Sequence, residues 1–132
     1  MLIGEVGDQF SVTSDTLRYY DRIGLLSPRR RSGLRRYSPA DLNKLTTILK
    51  MKSLMFTLDE IRTLLSADAA VDRSLRQAQP DQTAVRELLN LAEVKLAEMD
   101  ALEEKIKAVK KELWGYVTKI KGALEESGKN GG

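Results

Sequence analysis

Seven arginines and two aspartates lie between residues 14 and 37, a net charge of +5 within 24 residues. Such a cluster suits a phosphate-bearing partner, because each backbone phosphate neutralised by a cation releases condensed counterions. The charge is unevenly spread. Residues 1–65 hold eleven Lys/Arg against seven Asp/Glu, and the remainder eleven against twelve. Composition alone leaves a solvated basic loop equally open. Other chemistries are poorly provided for. With no Cys and no His, the chain lacks disulfides, thiolate metal sites, redox-sensing thiols and the usual general base near neutral pH. Its carboxylates fall at capping or exposed helix positions, and neither a phosphate-cradling glycine loop nor a nucleophile motif is present. No catalytic activity, metal or cofactor is therefore expected.

Elements that would position the arginines can be read along the chain. Ile3, Val6 and Phe10 have helical spacing, and Ser11-Val12-Thr13 reads as a tight turn with Thr13 capping the next helix. That helix, Ser14 to Ile23, buries Leu17 and Tyr20 and stops at Gly24. Two short helices joined in this way form a helix-turn-helix unit. Pro28 then starts an extended stretch, and Arg29 to Tyr37, with its Ser32-Gly33 turn, reads as a short hairpin or wing. Ser38-Pro39-Ala40-Asp41 opens a helix whose buried side carries Leu42, Leu45, Ile48, Leu49 and Leu54. Thr57 to Glu60 is a capping box for another, with Leu58, Ile61, Leu64 and Leu65 inward. Ser14, Asp15 and Arg18 sit on the first turns of the second helix, where base readout normally occurs; Asp15 also suits the positive end of that helix. A polar connector follows to Asp81, and then one long helix from about Gln82 to Lys121. No apolar run approaches the roughly 18 residues a bilayer span requires, so a soluble, cytoplasmic protein without membrane contact is expected.

Ile3-Gly4-Glu5-Val6, Thr16 to Asp21, Ile23 to Leu26, Gly33 to Ser38 and Leu58 to Ile61 together resemble the MerR family of bacterial regulators. The resemblance covers about residues 2–65. It implies a winged helix-turn-helix dimer that twists and bends a promoter with an overlong spacer, so that RNA polymerase is engaged indirectly through the DNA. It also implies DNA contacts from Arg18, Tyr19 and Tyr20, with Tyr20 partly in the core, and wing contacts from Arg35 and Tyr37. Arg31 and Arg36 are further backbone candidates, and Lys52 matches a basic residue ending the third helix. Three positions depart from the family pattern: Ser11 and Met55 stand where glycine is usual, and the wing motif reads Gly33-Leu34-Arg35.

A seven-residue frame fits the long helix. Val85, Ala92, Met99, Ile106, Leu113 and Ile120 fall at a, and Leu88, Lys95, Leu102, Val109 and Tyr116 at d. Parallel pairing would oppose Glu98 to Glu103 and Lys105 to Lys110. Antiparallel pairing instead matches Glu98 with Lys119, Lys105 with Glu112 and Glu103 with Lys110. Antiparallel is favoured. Ile106 then faces Val109 of the partner subunit, with the twofold axis beside Lys107 and Ala108.

The expected fold is mainly α: a winged helix-turn-helix DNA-binding domain over 1–66, a connector over 67–81, an antiparallel dimerisation coiled-coil helix over 82–122 and a flexible tail over 123–132. The expected partners are double-stranded promoter DNA and a second copy of the chain. The alternative is a coiled-coil adaptor whose basic domain binds an acidic protein; salt-dependent promoter binding separates the two. An organic ligand near Trp114 and Tyr116 competes with packing of Trp114 on the partner's domain.

Overall fold

The computed structural model describes residues 1–77 and 82–130. The elements run α1 (Ile3–Phe10), α2 (Ser14–Arg22), β1 (Arg29–Arg31), β2 (Leu34–Arg36), α3 (Pro39–Ser53), α4 (Leu58–Leu65), α5 (Ala67–Arg76) and α6 (Thr83–Asn130). Two compact units are separated after Leu88.

In the first unit the helix starts follow from their capping residues. Thr13, Ser38 and Thr57 each accept the N–H three residues on, with Ser38–Asp41 and Thr57–Glu60 forming reciprocal capping boxes. Most of these helices are too short to persist alone, so their order depends on packing. Val6, Leu17, Leu25, Leu26, Leu45, Ile48 and Ile61 are essentially inaccessible, joined by Tyr20, Tyr37 and Phe56. Each fully buried aliphatic side chain contributes roughly 1.5–3 kcal/mol. The strands pair antiparallel, Arg29 with Arg36, Arg30 with Arg35 and Arg31 with Leu34. Leu2 adds a bridge to Arg36, and the Met1 and Tyr37 backbones exchange hydrogen bonds of 3.0 and 2.7 Å. The first two residues thus tie the wing's outgoing strand to the domain.

Three expectations are corrected. Leu54 is not inward but 43% exposed. The helix α3 ends at Ser53, and Met55 at φ 70° reverses the chain so that Phe56 enters the core instead. The connector contains a ten-residue helix, α5, packed on α4; its alanines, Leu75 and arginines are good helix formers. Residues 78–81 of that connector lie outside the described residues. The long helix continues to Asn130 rather than ending near 122, because Ala123 to Glu126 favour helix and the lone Gly128 costs only about 1 kcal/mol.

At 48 residues, α6 is about 72 Å long. In the second unit Ile106, Val109, Leu113, Tyr116 and Ile120 are 49–60% exposed, and Trp114 and Leu124 are more so. Ala92, Met99 and Leu102 are half-buried, as is Leu88 at the end of the first unit. Among the described residues no helix is long and apolar enough to cross a membrane.

Candidate nucleic-acid interface

The turn between α1 and α2 fixes how the second helix is presented. Ser11 adopts the left-handed conformation (φ 55°, ψ 44°), and its N–H returns to the Gly7 carbonyl. Val12 N–H donates to the same carbonyl at 3.0 Å. The chain passes so close that a Cβ on Gly7 would lie 2.6 Å from the Val12 carbonyl oxygen. A side chain at position 7 is therefore excluded by backbone. The far end of α2 is held by Gly24 at φ 73° and by Arg62 of α4, whose guanidinium donates to the Ile23 carbonyl at 3.0 Å. A cation there also complements the negative end of the helix.

Ser14 opens α2, half-buried, and Asp15 and Arg18 stand on its exposed side in an i,i+3 ion pair of 2.8 Å. A pair this exposed is worth only a few tenths of a kcal/mol, so a phosphate can compete for Arg18. Tyr19 is 42% exposed, with the Arg22 guanidinium 5.6 Å from its ring centroid. Next in sequence, the wing turns through Ser32 and Gly33 at φ 53° and 78°, both left-handed, as a two-residue hairpin of matching twist requires. Alternation along three-residue strands puts Arg29, Arg31 and Arg36 on one face and Arg30 and Arg35 on the other. A cleft of about 800 Å³ is bordered by the three arginines of the first face and by Arg30, together with Ser27, Ser38 and Asp41. On the second face Arg35 Nε donates to Asp21 Oδ2 at 2.8 Å, and Arg30 approaches the same oxygen at 3.7 Å. The Arg35 hydrogen bond, above all, holds the Asp21 carboxyl below the usual carboxylate range, outweighing the burial that opposes it.

Exposed Arg18, Tyr19, Arg31 and Arg36, with partly exposed Arg35, are thus gathered on α2 and the adjoining wing. Lys52 is exposed in the last turn of α3. Tyr20 and Tyr37 are corrected from DNA contacts to core residues, at 4% and 3% exposure. Tyr20 shares the inward face of α2 with Leu17, and the Met1 pairing fixes Tyr37 where its ring turns inward. Burial pushes both hydroxyls above their ordinary pKa. The Tyr37 hydroxyl is enclosed with no hydrogen-bond partner among the described residues.

Gly7, Asp21 and Arg62 were not among the expected site residues. Gly7 carries a local signal, a glycine inside a helix just before a turn. Asp21 and Arg62 carry none, because their partners are 14 and 39 residues away in sequence.

Residues 1–68 match the profile of the MerR HTH family regulatory proteins. The chain belongs to the MerR family. The activator TipA of Streptomyces coelicolor is 44% identical over 86 residues, covering 64% of this chain and 34% of TipA. The chain therefore spans about a third of TipA, and that protein's remaining functions do not transfer. The mercuric resistance operon regulatory protein of Bacillus cereus is 33% identical over 113 residues, covering 84% of this chain and 78% of the relative. A solved structure, that of the transcription regulator PbrR691 from Ralstonia metallidurans in complex with lead(II), superposes with a TM-score of 0.52 at 30% identity. That match covers 86% of this chain and 82% of the other. This MerR-family chain contains neither Cys nor His. Among its described residues no group of three or more His, Cys, Asp or Glu could hold a metal ion.

Proposed function

We propose that the chain is a homodimeric, cytoplasmic transcription regulator that binds double-stranded promoter DNA and controls transcription by distorting the promoter spacer. RNA polymerase is engaged indirectly, through the DNA. The observation that carries this reading is the placing of Arg18 on α2 beside an arginine-faced wing, in a chain of the MerR family. A helix for the groove and guanidinium groups for flanking phosphates are the two parts that such docking needs. Ser14, Asp15, Arg18 and Tyr19 would face the duplex from α2, and Arg31, Arg35, Arg36 and Lys52 would meet its backbone.

Dimerisation is supported by the apolar seam of α6. Side chains such as Ile106, Val109, Leu113 and Ile120, 49–60% exposed in a single chain, need an occupant. A second copy fits because the flanking charges match in the antiparallel sense. The outer edge of the seam agrees. In the same register Leu89 meets Leu124 of the partner subunit, Leu96 meets Val117 of the partner subunit, and Glu103 meets Lys110 of the partner subunit. Apolar residues meet apolar ones along this edge, and acid meets base. The dimer would then set the separation of the two recognition helices, and hence the distortion the DNA must accept for both to dock.

The test is genome-wide occupancy followed by transcription in vitro from an occupied promoter and from versions with a shortened spacer. Stimulation that disappears as the spacer is shortened is expected. Failure of the protein to bind duplex DNA in a salt-dependent manner would overturn the reading. For the dimer, mixed Ile106→Cys and Val109→Cys chains should form the heterologous disulfide. Efficient Met99→Cys or Leu113→Cys self-cross-links would mean a parallel coil.

A further inference from the structure

We propose that Asp21 is the positioning residue of the DNA interface. From the last turn of α2 its carboxylate grips Arg35 Nε and draws in Arg30 from the facing strand. This fixes the wing to the recognition helix and leaves the terminal amino groups of Arg35 for a duplex phosphate. The inference rests on the DNA-binding reading above and adds the part that orients its arginines.

Four observations lead to it. Arg30 and Arg35 are directly opposed across the hairpin, where like charges repel and destabilise the pairing. Asp21 Oδ2 supplies the missing negative charge, at 3.7 Å from Arg30 and 2.8 Å from Arg35. The strands are three residues long, and an isolated two-stranded hairpin is marginal in water. A side-chain tie to a neighbouring helix therefore matters more here than it would in a large sheet. The Asp21 and Arg35 side chains are 17% and 20% exposed, whereas Arg18 and Asp15 in the neighbouring pair are 49% and 94% exposed. Solvent screens the exposed pair far more than this one. Finally, a carboxylate within a basic DNA-facing cluster should by charge alone weaken phosphate binding. Its occupation by Arg35 gives it another role, as a fixed acceptor that holds a planar guanidinium by one edge and leaves the other edge for an oxyanion.

Charge and positioning predict opposite signs, which makes the test direct. A duplex enriched by the wild-type chain from a random-sequence library serves as probe, with affinity followed across a salt series. Asp21→Asn adds one positive charge yet should weaken binding about tenfold, the scale of one lost charge-assisted hydrogen bond, with the salt slope unchanged. Arg35→Gln should weaken binding and lower the slope by about one, as loss of one phosphate contact does. The double variant should be no more than about twofold weaker than Arg35→Gln, because the acid has nothing left to position. Arg35→Lys keeps the charge and covers the case in which Asp21→Asn does not fold. It should keep the slope and lose affinity, since an ammonium cannot bridge carboxylate and phosphate as a fork does.

Amide hydrogen exchange without DNA provides a second readout. Asp21→Asn should speed exchange at residues 29–36 and leave α3 unchanged. Equal or tighter binding by Asp21→Asn, full additivity in the double variant, or wild-type affinity in Arg35→Lys would each overturn the proposal. If the wild type enriches no duplex, the DNA-binding reading fails first. Exchange then decides the clamp alone, and unchanged rates in the wing overturn it.

Discussion

Gly4 and Gly7 lie in the same helix, and the same substitution should act on them in opposite directions. Replacing a helical glycine by alanine gains up to about 1 kcal/mol, through the smaller conformational freedom of the unfolded chain and the better helix propensity of alanine. At Gly4 nothing lies within 4 Å of the new Cβ, so Gly4→Ala should be neutral to stabilising, with the gain reduced by its place in the first turn. At Gly7 the new Cβ meets the Val12 carbonyl oxygen at 2.6 Å. That oxygen is backbone, and it sits in a turn already closed by two hydrogen bonds to the Gly7 carbonyl. Relief requires opening the turn. Overpacking of this kind costs about 1–3 kcal/mol, so Gly7→Ala should be less stable than Gly4→Ala by about that amount. In a domain of this size each kcal/mol corresponds to about 4–8 °C in Tm. Urea and thermal unfolding at one fixed protein concentration would measure the gap, since association also contributes to stability. Equal stability of the two variants would refute the close approach, and with it the account of how α2 is presented.

Met55→Gly should stabilise the chain by about 1 kcal/mol, because a non-glycine residue at φ 70° carries a left-handed penalty of roughly 1–2 kcal/mol; an unchanged urea midpoint would contradict this. Arg62→Ala should destabilise by about 1 kcal/mol through loss of its bond to the Ile23 carbonyl and of its charge at the helix end, again read from the urea midpoint. Because the folded pKa of Asp21 is lowered, its stabilisation is fully present above the ordinary carboxylate pKa of about 3.9 and is lost as pH falls through the folded value. Asp21→Asn should accordingly flatten the acid limb of a stability-versus-pH curve, and an identical limb would show that the pair contributes nothing. With no Cys or His in the chain, titration with mercury, zinc or copper should reveal no stoichiometric sub-micromolar site.

The sequence was most legible where one residue carries the information by itself. The caps at Thr13, Ser38 and Thr57 act within three residues, so residue type and spacing suffice to find them. The Ser32-Gly33 turn and the stop at Gly24 are equally local. The two tyrosines show where such reading ends. Tyr19 and Tyr20 are adjacent in one motif, yet a single step around α2 leaves the first half-exposed and buries the second. Tyr37 faces inward because Met1, 36 residues away, pairs with its backbone. No window on the sequence contains both partners. The Asp21 clamp was hidden for the same reason: Arg35 looks like any other member of an arginine cluster until the hairpin register sets it opposite Arg30.

Ser11, Ser32 and Met55 adopt left-handed backbone without being glycine. Each carries a penalty of roughly 1–2 kcal/mol relative to an unstrained residue, a large total against the 5–15 kcal/mol that stabilises an ordinary domain. Their positions are not scattered. Ser11 sets the angle between α1 and α2, Ser32 reverses the wing, and Met55 turns the chain from α3 into α4. The neighbouring groups hold each joint in place despite the side chain. The Gly7 carbonyl receives two N–H groups beside Ser11, and antiparallel pairing encloses Ser32. Beyond Met55, buried Phe56 anchors the loop, its N–H bonded to the Met51 carbonyl at 3.2 Å. The backbone angle at these joints is therefore held by the surrounding hydrogen bonds and packing, without glycine. Their common consequence is to fix α2, the wing and the end of α3 relative to one core, which a rigid reader of DNA needs before any arginine can meet a phosphate.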